Sequence, residues 1–261
     1  MLPKLLIAGI ISSVVAICIN GLASFPFKNP ATLLLFWANV SFIGGTYRKR
    51  AGEKKINVSY PLLKAYLFIF TITGLILSYK GLKASRYMFL ASNTEGKTSL
   101  QFAEKSVMYN PLSFEYTFLT ARIAIANDNY EKGYQYLLMA KNLHPYNDTL
   151  YNNMGLVYFK TGRFKEAEES YLYALTLNPF MADVCNNIGS LYIETGRYDE
   201  AIPYLAKAIS IKPDFYLAYF NLGMTYYLKR DHKQAVNYFR KTLEINPQFA
   251  PARMLLLKIE K

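Results

Sequence analysis

The chain is poor in the residues from which metal sites, disulfide frameworks and catalytic centres are built. Two cysteines, Cys18 and Cys185, and two histidines, His144 and His232, stand among 261 residues. That is too few for a disulfide scaffold, and neither histidine has a cysteine nearby at metal-ligand spacing. GxSxG, P-loop, HExxH and CxxC motifs are all missing, which removes the usual nucleophile, phosphate-cradle and zinc chemistries. Glu166, Glu168 and Glu169 cluster beside Lys165, but a solvated helix face explains them better than a catalytic acid–base pair. The expectation is a chain with no catalytic residues, no metal and no cofactor, and not an enzyme.

Acidic residues are nearly absent from the first 79 positions, which hold Glu53 alone against eight Lys or Arg. Residues 80–261 carry 22 basic and 17 acidic side chains, interspersed as on a solvated surface. The net charge of +12 is therefore partly a property of the front end. Phosphate recognition needs basic groups gathered on one face, so nucleic acid is not an expected partner.

The front end holds long apolar runs instead. Residues 5–27 contain no charge and are long enough to cross a hydrocarbon core of roughly 30 Å. They also exceed the apolar core of a cleavable signal peptide. A second uncharged run covers 30–47, and a third covers 61–79, interrupted only by Lys64 near its end, where a lysine can snorkel. Residues 1–79 are thus expected to be a membrane domain of three transmembrane helices in the lipid bilayer. Arg48, Lys49, Arg50, Lys54 and Lys55 place the loop between the second and third runs in the cytoplasm. The third helix would then deliver the rest of the chain to the extracytoplasmic side, continuing unbroken into 80–93.

Behind the membrane segments the sequence repeats. Prolines stand at Pro111, Pro145, Pro179, Pro213 and Pro247, each 34 residues after the last. In the same register stand Gly155, Gly189 and Gly223, then Tyr158, Tyr192 and Tyr226, then Ala167, Ala201 and Ala235. A fixed period of this length marks a stack of supersecondary units. In the unit that starts at Asp148, the spacing predicts helix A over 148–161 and helix B over 164–177. Gly155 and Ala167 lack bulk where the two helices cross. Tyr151, Met154, Tyr158, Tyr171 and Ala174 recur at helical spacing as the buried stripe. Gly162 and Gly196 end the A helices at positions open to positive φ. Asn-Pro pairs close the B helices, because proline disfavours helix at the residue before it.

This pattern resembles the tetratricopeptide repeat family over residues 80–261. The resemblance implies an all-α fold, an α-solenoid in which helix pairs stack into a right-handed superhelix. Units are expected at 114–147, 148–181, 182–215 and 216–249, with a partial unit at 80–113 and a capping helix at 250–261. The cap's Met254, Leu255, Leu256 and Leu257 are expected to cover the last repeat. The concave face of such a solenoid is lined by helix A and binds protein or peptide. Its candidate partner-binding residues are Phe118, Asn152, Asn153, Phe159, Asn186, Asn187, Phe220, Asn221 and Tyr227. Asparagine both donates to and accepts from a peptide backbone, and aromatics supply apolar anchors. The stretch Phe25-Pro26-Phe27-Lys28-Asn29-Pro30-Ala31-Thr32-Leu33-Leu34-Leu35-Phe36-Trp37, followed by Gly44-Gly45, resembles the last membrane segments of O-antigen ligase and polymerase family proteins. Some of these bacterial proteins carry tetratricopeptide repeats after those segments. Two roles follow. One is a protein-binding scaffold anchored in a bacterial inner or plasma membrane. The alternative is an accessory subunit, or detached C-terminal part, of a ligase-like envelope glycan transferase, with a glycosyltransferase-type membrane protein as partner.

Overall fold

The computed structural model describes residues 60–260, with the side chains of 65, 68, 69 and of 72 onward. The expected spans at 5–27 and 30–47 lie outside the described residues. Among those described there are eleven α-helices and no strand. They are α1 (Tyr60–Ser92), α2 (Gly96–Tyr109), α3 (Phe114–Ala126), α4 (Tyr130–Leu143), α5 (Asp148–Lys160) and α6 (Phe164–Leu177). After them come α7 (Ala182–Glu194), α8 (Tyr198–Ile211), α9 (Tyr216–Leu228), α10 (His232–Ile245) and α11 (Ala250–Ile259).

The described residues form two compact units, 60–94 with 101–113, and 95–100 with 114–260. In the first unit α1 runs unbroken through the residues expected to continue the third apolar run. Its later half packs on α2 through small side chains, with Ala84, Ala91 and Ala103 buried. Ser106 donates to the Ala84 carbonyl at 2.9 Å, and Tyr87 stacks on Phe102 and Tyr109. The earlier half of α1 is different: Phe68, Ile69 and Leu75 are each more than 60% exposed, and Leu82 and Phe89 beyond them match that exposure. Among the described residues no helix is long and apolar enough to cross a membrane. The third expected span begins where few side chains of α1 are described.

In the second unit α3, α5, α7 and α9 are A helices, and α4, α6, α8 and α10 are their B partners. Each A helix packs on its own B helix, and each B helix on the next A helix. Gly155 shows why the crossing needs a residue without a side chain. A Cβ there would lie 2.5 Å from two carbons of the Tyr171 ring, which is 1% exposed. At Gly189 the same Cβ would meet the branched end of Leu205 at 2.5 Å. Tyr171 and Leu205 are both sealed in the core, at 1% and 0% exposed, so neither side chain can swing clear. Gly155→Ala is therefore expected to destabilise by about 1–2 kcal/mol, overpacking outweighing the gain in helix propensity. Gly189→Ala is expected to destabilise by a similar amount, since the added Cβ overlaps the branch carbon of fully buried Leu205, and thermal denaturation of the two variants checks both.

Local chemistry sets the helix ends. The side chains of Asn129, Asn147 and Asp231 accept from the backbone N–H three residues on, capping α4, α5 and α10. Gly162 and Gly196 have φ of 76° and 73° in the turns after α5 and α7. Asp128 and Arg230 take the same left-handed conformation in the turns after α3 and α9.

Two expectations need correction. Tyr151 is half-buried rather than part of the sealed core, and its ring sits edge-on to exposed Tyr173 at 4.4 Å. In α11 only Leu255 and Leu256 of the four apolar residues pack on the last repeat, together with buried Ala252. Met254 and Leu257 are 70% and 57% exposed. Four consecutive helical residues sweep most of a turn, so they cannot all face one neighbour.

Candidate functional site

Consecutive A helices touch one another, α3 with α5, α5 with α7 and α7 with α9. They form a continuous face one helix deep, and this is where the sequence placed its candidate residues. The structure joins four of its five asparagines in pairs across neighbouring repeats. Asn187 on α7 donates to the side-chain oxygen of Asn152 on α5 at 2.9 Å. Asn221 on α9 donates to the Asn186 oxygen at 2.8 Å and to the Ser190 hydroxyl at 3.0 Å, both on α7. Asn153 instead turns back on its own helix and donates to the Thr149 carbonyl at 2.7 Å.

Each amide offers two donor hydrogens and a two-lone-pair acceptor. After pairing, Asn152 keeps its NH2 group, and Asn187 keeps one N–H and its carbonyl oxygen, with no partner among the described residues. Asn221 spends both of its amide hydrogens on Asn186 and Ser190, so in that pair Asn186 keeps its NH2 group and Asn221 its carbonyl oxygen. No buried polar side-chain atom among the described residues lacks a partner, so these leftover groups are open to solvent. Asn186 is 7% exposed and the others are half-buried, which makes the row a shallow, pre-ordered hydrogen-bonding strip.

The aromatic candidates are half-buried and stand apart from one another. Phe118 stacks on Phe114 at 5.3 Å, and Phe159 tilts against Phe164 at 6.0 Å. Phe220 lies between Phe239 at 5.8 Å and Phe249 at 5.0 Å, joining α9 to the last helices. Tyr227 faces His232 at 5.6 Å, with the Lys258 ammonium 6.0 Å from its ring. Their first duty is packing, and each remains partly exposed. Sequence reading missed Ser190, whose place beside Asn221 shows only when α7 and α9 are side by side.

Charge enters at the repeat boundaries. Arg197 forms a two-pronged pair with Glu168 of the preceding repeat, Nη1 at 2.7 Å and Nη2 at 3.2 Å, while Tyr192 donates to the same carboxylate at 2.7 Å. Lys229 pairs with Asp199 in the same inter-repeat sense. The Arg197 guanidinium holds the Glu168 carboxyl below the usual glutamate range, and the Tyr192 hydroxyl adds to this. A carboxyl with a depressed folded pKa contributes stability above its unfolded value of about 4.3, and that contribution is lost as the pH falls through the folded value. Glu168→Gln is therefore expected to lower stability at neutral pH and to flatten the acid limb of the stability–pH curve. Wild type and variant should converge in strong acid, which urea titrations at stepped pH would show.

Burial pushes the Cys185 thiol upward, and the residue is inaccessible between α7 and the following repeat. Among the described residues no group of three His, Cys, Asp or Glu gathers as a metal cluster would.

Comparison with known proteins agrees with this geometry. The family model for the tetratricopeptide repeat matches residues 146–214 and, in an overlapping frame, 180–248. No curated protein matches the sequence. Among solved structures, MamA is 26% identical, with 59% of this chain and 90% of that one covered and a TM-score of 0.52. PilF of Pseudomonas aeruginosa is 18% identical, with 69% and 84% covered and a TM-score of 0.58. YrrB, described as a TPR protein with an unusual peptide-binding site, is 21% identical, with 65% and 89% covered and a TM-score of 0.52. At such identities the likeness carries the fold. Residues 146–248 of this chain thus match the tetratricopeptide repeat.

Proposed function

We infer that this chain is a non-catalytic scaffold that holds an extended segment of a partner polypeptide along its A-helix face. The supporting observation is the asparagine strip: two cross-repeat pairs, each keeping unpaired N–H groups and a carbonyl oxygen toward solvent. An extended peptide presents that complement along its own backbone, and the half-buried aromatics beside the strip supply apolar contacts. Affinity purification of the full chain in mild detergent, followed by mass spectrometry, tests this reading. Asn152→Ala with Asn187→Ala should keep the helical spectrum and lose the partner. Retention of every partner by that double variant would remove the strip from the account.

Membrane anchoring through residues 1–79 is the second part of the reading. Its support is the pair of charge-free runs at 5–27 and 30–47, with the exposed apolar side chains of α1. The basic loop at 48–55 favours extracytoplasmic repeats. A cysteine introduced at exposed Lys207 should then react with an impermeant thiol reagent on intact cells. Buried Cys185 keeps the background low, and labelling only after lysis would reverse the orientation. The resemblance of residues 25–45 to ligase and polymerase tails supports an alternative, an accessory subunit of an envelope glycan transferase. Under that alternative the same purification recovers a multi-helix membrane protein, and replacing residues 1–79 abolishes its recovery.

A further inference from the structure

Arginine opens two successive B helices, Arg163 before α6 and Arg197 before α8, 34 residues apart. Each guanidinium lies over the ring of the preceding A helix's tyrosine, 4.5 Å from the centroid of Tyr158 and 4.1 Å from that of Tyr192. Each also pairs with an acid one turn into its own helix, Glu166 or Glu200. The two sites differ in the residue opposite, on the B helix of the repeat before. At the later site this is Glu168, whose carboxylate accepts from both Arg197 and Tyr192. At the earlier site the equivalent position holds Tyr134, and its hydroxyl shares one hydrogen bond with that of Tyr158 at 3.0 Å.

Two consequences follow from this exchange. Two hydroxyls that share one hydrogen bond leave the second O–H free to donate outward. Arg163 bonds to Glu166 through Nε and Nη2, so its Nη1 has no partner among the described residues. Around these donors lies a cleft of about 220 Å³, whose lining includes Tyr130, Glu131, Tyr134, Tyr158 and Arg163. The chain has thus built the same Arg–Tyr cradle twice, each with an acid from its own helix, and supplied a second acid from the preceding repeat to only one of them.

We propose that this cleft is a carboxylate-binding site that takes an acidic side chain of a partner polypeptide where the next interface holds its own Glu168. A carboxylate there meets the Arg163 guanidinium and a tyrosine hydroxyl, the donor set that Glu168 already uses. Exposed Glu131 on the rim opposes negative charge, so a monoanion is favoured over a dianion such as phosphate. The site sits at the A-to-B turns, away from the asparagine strip, and stands whether or not the strip binds peptide.

The test is an NMR titration of the full chain in detergent, with the Gly162 backbone amide as reporter and capped glutamate as probe. Capped glutamine is the control. A saturable shift is expected with glutamate and not with glutamine. Its midpoint should weaken at least about tenfold in Arg163→Gln, the loss of one charge-assisted pair. Tyr134→Glu should also abolish it, because the chain then carries its own acid, and that variant should resist heat better at neutral pH. Arg197→Gln should leave the midpoint unchanged, and Glu131→Gln should tighten it. An unchanged midpoint in Arg163→Gln, or an equal response to inorganic phosphate, would overturn the site. A nonapeptide with a central glutamate that bound no tighter than capped glutamate would overturn its assignment to a polypeptide.

Discussion

Tyr171→Ala is expected to destabilise the chain by about 3–5 kcal/mol, the range for removing a large aromatic from a closed core. The ring is 1% exposed and lies against the bare backbone of Gly155. Nothing nearby can fill the space, because the A and B helices already meet there at glycine distance. The phenol is lifted far above its usual range by burial, so it remains neutral at working pH and contributes through its ring. Tyr171→Phe keeps that ring and should lose far less. The position also decides how the loss spreads. Stability in a solenoid is a sum of units and their interfaces, and this repeat lies in the middle of the array. Its failure should separate α3 and α4 from α7 to α11. Hydrogen exchange should show both flanks losing protection, and the calorimetric transition should broaden or split.

Phe239→Ala should remove a similar amount, about 3–5 kcal/mol, with a different distribution. Phe239 is fully buried, packs against Gly223, Phe220 and Ala252, and belongs to the last complete repeat. Among the described residues α11 alone lies beyond it. The expected result is local melting of α9 to α11, while protection in α3 to α7 stays near wild type. Equal loss of protection along the whole array would mean that the repeats unfold as one body, contrary to nearest-neighbour stacking.

What could be read from sequence follows from what repeats. The 34-residue phase tied Gly155 to a close crossing and set helix boundaries at 148–161 and 164–177, against the observed Asp148–Lys160 and Phe164–Leu177. Side-chain size repeating in step is a strong constraint, because it must be met at every crossing. Features that break the phase were hidden. The partners of Asn152, Asn186, Asn187 and Asn221 lie 35 or 31 residues away on a neighbouring A helix, a relation that period alone does not report. The contrast between Tyr134 and Glu168 is a single substitution inside the pattern and means nothing until Arg163 and Arg197 are seen over their tyrosines. Met254 and Leu257 read as cap residues because they are apolar, but helical geometry turns them outward.

The central claim is that the A-helix face, rather than the outer B-helix face, receives a partner chain. A photo-crosslinking residue placed at Asn187 on that face, and in a second variant at Lys207 on the exposed side of α8, tests it directly in cells. A discrete protein adduct from position 187 and none from position 207 is the expected result. An adduct from 207 alone, in chains that remain folded, would contradict the account.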